Sequence, residues 1–232
     1  MGYNAYSLEQ EAAEQQRFIT KVYTWMSIGL ALTGATAYTI AGNEAIMSVL
    51  LGSFALRIGL IIGQLVLVGV LAGFTQKMSA QLATFIFLGY AVLNGVTFSV
   101  IFLVYTQESI TSTFLITALT FGAMSLYGYT TKTDLTKLGS LLFMGVIGLV
   151  IASLINIFLK SSMLQWITSC AGVLIFVGLT AYDTQKIKNM NIIGNEGTEE
   201  DHKEAILGAL SLYLDFINLF LYLLRLFGNK KE

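Results

Sequence analysis

The sequence predicts an all-α, polytopic membrane protein with seven transmembrane helices, the last of them central. Three observations predict it. Of the 232 residues, 55% are hydrophobic and 12% charged, about half the charge of an ordinary soluble domain, and the mean hydropathy is +0.72. Apolar runs long enough to cross a hydrocarbon core of roughly 30 Å recur along the whole chain. The last run, residues 205–227, is mostly Leu, Ile and Phe, yet it carries Ser211, Asp215, Asn218, Tyr222 and Arg225. Their spacing of three and four residues puts all five on one helical face. A carboxylate as deep as Asp215 costs about 2.5–3.5 kcal/mol on insertion scales, so this face turns toward protein and not lipid. A greasy helix with one polar seam is an interior helix.

Residues 1–17 read as a polar tail with Glu9, Glu11 and Glu14, turning helical near Ala12. Residues 18–228 read as a single membrane domain, and 229–232 as a second short tail. The first span is about 21–41, where Gly29, Gly34 and Ala37 offer small faces. Residues 43–53 read as a short semi-apolar connection. The second span, about 57–74, holds Gly59/Gly63 and Gly69/Gly73, pairs that let helix backbones approach. The third, about 79–105, carries Asn94 and Gly95 at mid-depth, with Asn94 read as interhelical glue. A tight turn at 106–111 contains Glu108, read as solvated. The fourth span, about 112–131, ends in Tyr127, Tyr129 and Lys132, an aromatic belt followed by a basic turn. The fifth runs over about 137–159 and the sixth over about 163–186, with Thr180, Asp183 and Thr184 toward its end. Residues 189–203 form the longest hydrophilic loop.

Lysine and arginine counts orient the chain. With the N-terminus inside, Arg17, Lys21, Lys77, Lys132, Lys137, Lys186, Lys188 and Lys203 fall inside, and only Arg57 and Lys160 fall outside. That is eight against two, which favours a cytoplasmic N-terminus. Arg225, Lys230 and Lys231 then lie outside if the last helix crosses. Either it crosses and these charges are tolerated, or it enters as a plug.

Composition also excludes. Net charge is −1, which suggests neither nucleic acid nor an acidic substrate. The single Cys170, in an apolar run, leaves no intrachain disulfide and reads as a buried inert thiol. The polar N-terminus carries no cleavable signal pattern. No Pro occurs, so helix irregularity must come from Gly, Ser or Thr. No nucleotide loop, Ser-His-Asp set or HExxH stretch is present, so no enzyme and no cofactor are expected. His202, among Glu199, Glu200, Asp201, Lys203 and Glu204, reads as exposed and without a metal partner.

The chemistry gathers at two carboxylates. Asp183 ends the sixth span, Asp215 lies about ten residues into the seventh, and both belong to the inner half of the membrane. Two carboxylates in one dry pocket share a proton or attract a cation. They are too few for a saturated Ca²⁺ site of about 6–8 oxygens. Ser211, Asn218, Thr184, carbonyls and water can add ligands, and a permeation site needs fewer than a storage site. The plainer alternatives are an interfacial Asp183 held by Lys186 or water, and a static bridge from Asp215 to Lys77.

Gly178-Leu-Thr-Ala-Tyr-Asp183-Thr-Gln185 and Ser211-Leu-Tyr-Leu-Asp215-Phe-Ile-Asn-Leu-Phe220 resemble the two signature stretches of the transmembrane Bax-inhibitor-motif family. Met124-Ser-Leu-Tyr-Gly-Tyr-Thr-Thr-Lys132 and Asn94-Gly95 fit the same group, in its bacterial inner-membrane branch, over about residues 17–228. The resemblance implies six helices wrapped around the seventh. It also implies a pH-sensitive Ca²⁺ leak with an aspartate pair as sensor, here Asp183 and Asp215. In some relatives an Arg near the inner end of the second helix latches one aspartate; no Arg stands there in this chain, and Lys77 is the candidate latch. The branch is also linked to the membrane protease FtsH. Two functions are therefore expected: a Ca²⁺ leak or Ca²⁺/H⁺ exchanger gated by Asp183 and Asp215 and supported by Ser211, Asn218, Tyr222 and Thr184, or a non-conducting regulator that binds such a protease or another membrane complex.

Overall fold

A computed structural model describes residues 8–231. It is all-helical, and no extended strand occurs among the described residues. In order, the helices are α1 (Leu8–Ala41), α2 (Glu44–Gly52), α3 (Phe54–Phe74), α4 (Ala80–Phe98), α5 (Ile101–Val104), α6 (Gln107–Thr130), α7 (Thr136–Leu159), α8 (Ser162–Met190) and α9 (Glu199–Phe227), with a 3₁₀ turn at Thr75–Lys77.

Six of these, α3, α4 with α5, α6, α7, α8 and α9, are long and apolar enough to cross a membrane. The expected first span lies inside α1. That helix is long enough, but Thr20, Thr24, Thr33, Thr36 and Thr39 dilute its apolar stretch. Burial ranks the six: 61% of the apolar stretch of α9 is buried, against 6% in α3 and α7. An interior α9 follows from its sequence, because Asp215 is tolerated only where protein covers it.

Several boundaries depart from the sequence reading for local reasons. Residues 8–17 of the expected polar tail are the first turns of α1, while residues 1–7 lie outside the described residues. The expected connection at 43–53 is helical. Asn43 caps α2 by accepting from the N–H of Ile46, and Ser53 caps α3 by accepting from that of Leu56. The third span breaks after Phe98, where the Ser99 hydroxyl donates to the Val96 carbonyl at 2.7 Å and competes with the helical ladder. α6 starts at Gln107 because Thr106 caps it. α9 starts six residues before the expected 205: Thr198 accepts from the N–H of Asp201, and Glu199, Glu200 and Asp201 complement the first turn.

Contacts divide the chain into two compact units, Met1–Val100 with Ile187–Leu210, and Ile101–Lys186 with Ser211–Glu232. In the first, α1 packs on α4 across Gly95, where an added Cβ would meet Thr36 Cβ at 2.5 Å. Thr33 donates to the Ala91 carbonyl across this contact at 2.9 Å. Gln64 of α3 donates to the Leu93 carbonyl and the Thr97 hydroxyl of α4. Asn94 does not act as interhelical glue through its amide N–H, which donates to the Tyr90 carbonyl of its own helix. The glycines expected to bring α3 close to a neighbour do not all do so: nothing lies within 4 Å of a Cβ built at Gly59, Gly69 or Gly73.

In the second unit, α6, α7, α8 and the later turns of α9 pack through glycine contacts. A Cβ at Gly128 of α6 would overlap the Ala181 carbonyl of α8, and one at Gly178 of α8 would lie 2.6 Å from Leu142 of α7. Gln185 pins the α6–α7 turn, accepting from the N–H of Leu135 and donating to the Thr133 carbonyl, both at 2.9 Å. Leu149, Phe176, Leu179, Leu219 and Leu223 form its apolar core. After α9 the chain closes on the α5–α6 turn. The N–H of Thr106 donates to the Asn229 carbonyl and that of Lys231 to the Val104 carbonyl.

Candidate functional site

α7, α8 and α9 line a partly open cavity of about 510 Å³ in the second unit. α8 brings Tyr182, Asp183 and Lys186 to it within about one helical turn. α9 brings Ser211, Asp215 and Asn218, successive members of the polar seam. α7 brings Gly139 and Ser140 from its first turns, then the apolar Phe143 and Val146.

The carboxyl groups of Asp183 and Asp215 interact side chain to side chain. Asp215 is 3% exposed, while Asp183 is half-buried. Asp215 Oδ2 is enclosed and has no hydrogen-bond partner. A buried carboxylate oxygen left without a donor is costly. A proton held between the two carboxyls, or a cation beside them, removes that cost. Asn218 donates its amide N–H to the Leu214 carbonyl at 2.8 Å, which leaves its carbonyl oxygen to the cavity. Two carboxylates, one amide and the hydroxyls of Ser140 and Ser211 line the cavity, a set of hard oxygens of the kind that hard cations accept. No cluster of three or more His, Cys, Asp or Glu side chains is found among the described residues.

The other sequence candidates sit elsewhere. Tyr222 stacks on Phe176 with ring centroids 5.8 Å apart and lies over Gly172. Arg225 is exposed, its guanidinium 5.4 Å from the Tyr222 ring. Thr184 is buried and donates to the Thr180 carbonyl. None of the three lines the cavity. Lys77, the candidate latch, is exposed in the 3₁₀ turn with its ammonium 5.6 Å from the Phe74 ring, and it does not line the cavity either. The cavity's basic residue is Lys186, which sequence reasoning had considered only as a possible cap for Asp183. Tyr182 was overlooked as well. Its ring lies flat on Gly139, where a Cβ would meet it at 2.5 Å, and this glycine across the α7–α8 contact is a signal only coordinates reveal. Cys170 is half-buried, less covered than its apolar run suggested.

The first unit carries a second polar cluster. Glu14, Arg17 and Lys21 of α1 face the segment before α9 and its first turn. Arg17 grips Glu196 with two bonds of 2.6 and 2.8 Å, which hold the Glu196 carboxyl below the usual glutamate range. Lys21 pairs with Asp201 at 2.9 Å, and Glu14 accepts from the N–H of Gly194. His202 is not exposed as its neighbours suggested. It stands in the first turn of α9, half-buried, with Nε2 3.0 Å from the Thr84 hydroxyl and its ring edge-on to Trp25. The early start of α9 turned this position inward.

Comparison with known proteins agrees with these motifs. A family model described as inhibitor of apoptosis-promoting Bax1 matches residues 15–232. Inner membrane protein YbhL of Escherichia coli K12 is 54% identical over 226 residues, 97% of each chain. An uncharacterized protein of Borreliella burgdorferi is 47% identical over 224 residues, again 97% of each chain. An uncharacterized membrane protein of Streptococcus pyogenes is 40% identical over 215 residues, 92% of this chain and 93% of its own.

Proposed function

We propose, from the premise that this chain belongs to the Bax inhibitor family, that it is a multi-pass inner-membrane protein passing cations, Ca²⁺ foremost, by leak or exchange under the control of a proton shared by Asp183 and Asp215. The observation that carries this reading is Asp215 itself. It is buried, faces a second carboxyl, and keeps one oxygen without a hydrogen-bond partner.

The mechanism follows from charge. With one proton between them, the carboxyls hold α8 to α9 and the cavity attracts cations weakly. When that proton leaves, two like charges in a poorly hydrated space repel, and either the helices part or a cation enters. Hard oxygens from Asn218, Ser211 and Ser140 then replace part of the ion's hydration shell. A cavity partly open to solvent lets the ion keep water ligands, and weak retention suits passage.

In this reading α1 is the seventh span and the N-terminus is cytoplasmic, as the lysine and arginine distribution favours. Purified protein in liposomes tests it, with dye-reported Ca²⁺ flux followed against pH for wild type, Asp215→Asn and Asp183→Asn. The expected result is a pH-dependent flux in wild type and a flattened profile in each variant. Flux equal to empty liposomes at every pH removes the channel reading. The non-conducting regulator of an FtsH-type membrane protease would then stand in its place.

A further inference from the structure

Asp183, Lys186 and Asp215 are the charged residues lining the α7–α8–α9 cavity. Lys186 follows Asp183 by three residues, so both project from one face of α8. Its charge reaches both carboxylates, yet no ion pair within 4 Å joins it to either among the described residues. The ammonium rests instead over the Tyr182 ring, 6.0 Å from its centroid. Tyr182 in turn packs against Gly139. The lysine stem is flexible. Lys186 is exposed, and its stem is long enough to exchange the aromatic face for the carboxylates that line the same cavity.

We propose that Lys186 is a tethered cation that competes with the permeant ion for the Asp183–Asp215 pair and so keeps divalent affinity low. The proposal rests on the reading of that pair as a cation site. The charge sum supports it. Two carboxylates sharing one proton carry a single negative charge, which the lysine balances without any ion. Losing the proton leaves one net negative charge, so a divalent ion that enters beside the ammonium overfills the site. The ammonium must then withdraw to Tyr182. That competition favours release over retention, as conduction requires.

The test measures equilibrium ⁴⁵Ca²⁺ binding to the full chain in nanodiscs of neutral lipid at alkaline pH, with Asp215→Asn as background. Lys186→Met keeps the apolar stem and removes the charge. It should bind Ca²⁺ about tenfold more tightly than wild type, the size expected of a nearby charge in a partly wet site. Lys186→Arg should stay near wild type. Equal affinity of Lys186→Met and wild type, with binding that Asp215→Asn abolishes, overturns the competitor and leaves the aspartate site standing. No binding sensitive to Asp215→Asn in either protein overturns both. Tighter binding in Lys186→Met without Ca²⁺ flux in liposomes keeps the competitor and removes the channel.

Discussion

The main-chain N–H of Lys231 donates to the carbonyl of Val104 at 2.9 Å, with Lys230 and Tyr105 bridged antiparallel beside it. The Lys231 ammonium also reaches the Phe102 carbonyl at 2.7 Å. Residues 229–231 thus sit at the turn before α6. α6, α7, α8 and α9 lie between these two points, an even number of crossings, so a full crossing by α9 is the arrangement that fits. A thiol placed at Asn229 and one placed at Gln107, in a Cys170→Ser background, should react with a membrane-impermeant reagent from the same side. Labelling from opposite sides would mean that α9 stops short.

Gly128 of α6 meets the backbone of Ala181 of α8, and backbone cannot rotate away as a side chain can. Gly128→Ala should therefore lower stability by about 1–3 kcal/mol, toward the upper end of overpacking effects. Gly34→Ala, where nothing lies within 4 Å, is the control and should be neutral or slightly stabilising. Denaturant unfolding of both variants in one detergent checks this.

The Arg17–Glu196 pair links α1 to the segment before α9. Hydrogen bonding to Arg17 holds the Glu196 carboxyl low. Its contribution is present above the ordinary glutamate range, about 4.3, and is lost as pH falls through the lowered value. A spin label at Ile193 should become mobile only in acid. In Glu196→Gln the same label should be mobile at neutral pH, with no acid step. Identical profiles for the two proteins would show that other contacts hold the segment.

His202 is the chain's single histidine, so its ring nitrogens give an unambiguous signal. The Thr84 hydroxyl donates to the Ala80 carbonyl at 2.9 Å. Toward His202 it must then accept, which puts the ring proton on Nε2. Nitrogen NMR of histidine-labelled protein at alkaline pH should report the Nε2–H tautomer. Thr84→Val should lose that preference and cost about 0.5–1.5 kcal/mol, one net hydrogen bond.

Much of the site was legible as pattern. The spacing of Ser211, Asp215 and Asn218 put them on one face, and all three line the cavity with Asp183. The seam was drawn too long because periodicity gives direction but not depth. Tyr222 and Arg225 share the face one and two turns later, where Phe176 and open surface replace the cavity. Lys186 was hidden for another reason: it is exposed, as a lysine near a helix end usually is, and only the coordinates show that it also lines the aspartates' cavity.

By itself, the sequence determined that the chain is helical, membrane-bound and carries a buried carboxylate in its last helix. Hydrophobicity and the cost of a buried carboxylate are properties of residues in order, and they need no coordinates. Tertiary structure decided which side chains meet. It set Lys186 and not Lys77 in the aspartates' cavity, turned His202 inward, and fastened residues 229–231 to the α5–α6 turn. These contacts depend on where helices begin and on how closely glycine lets them approach. Capping and packing settle such matters only when distant segments come together.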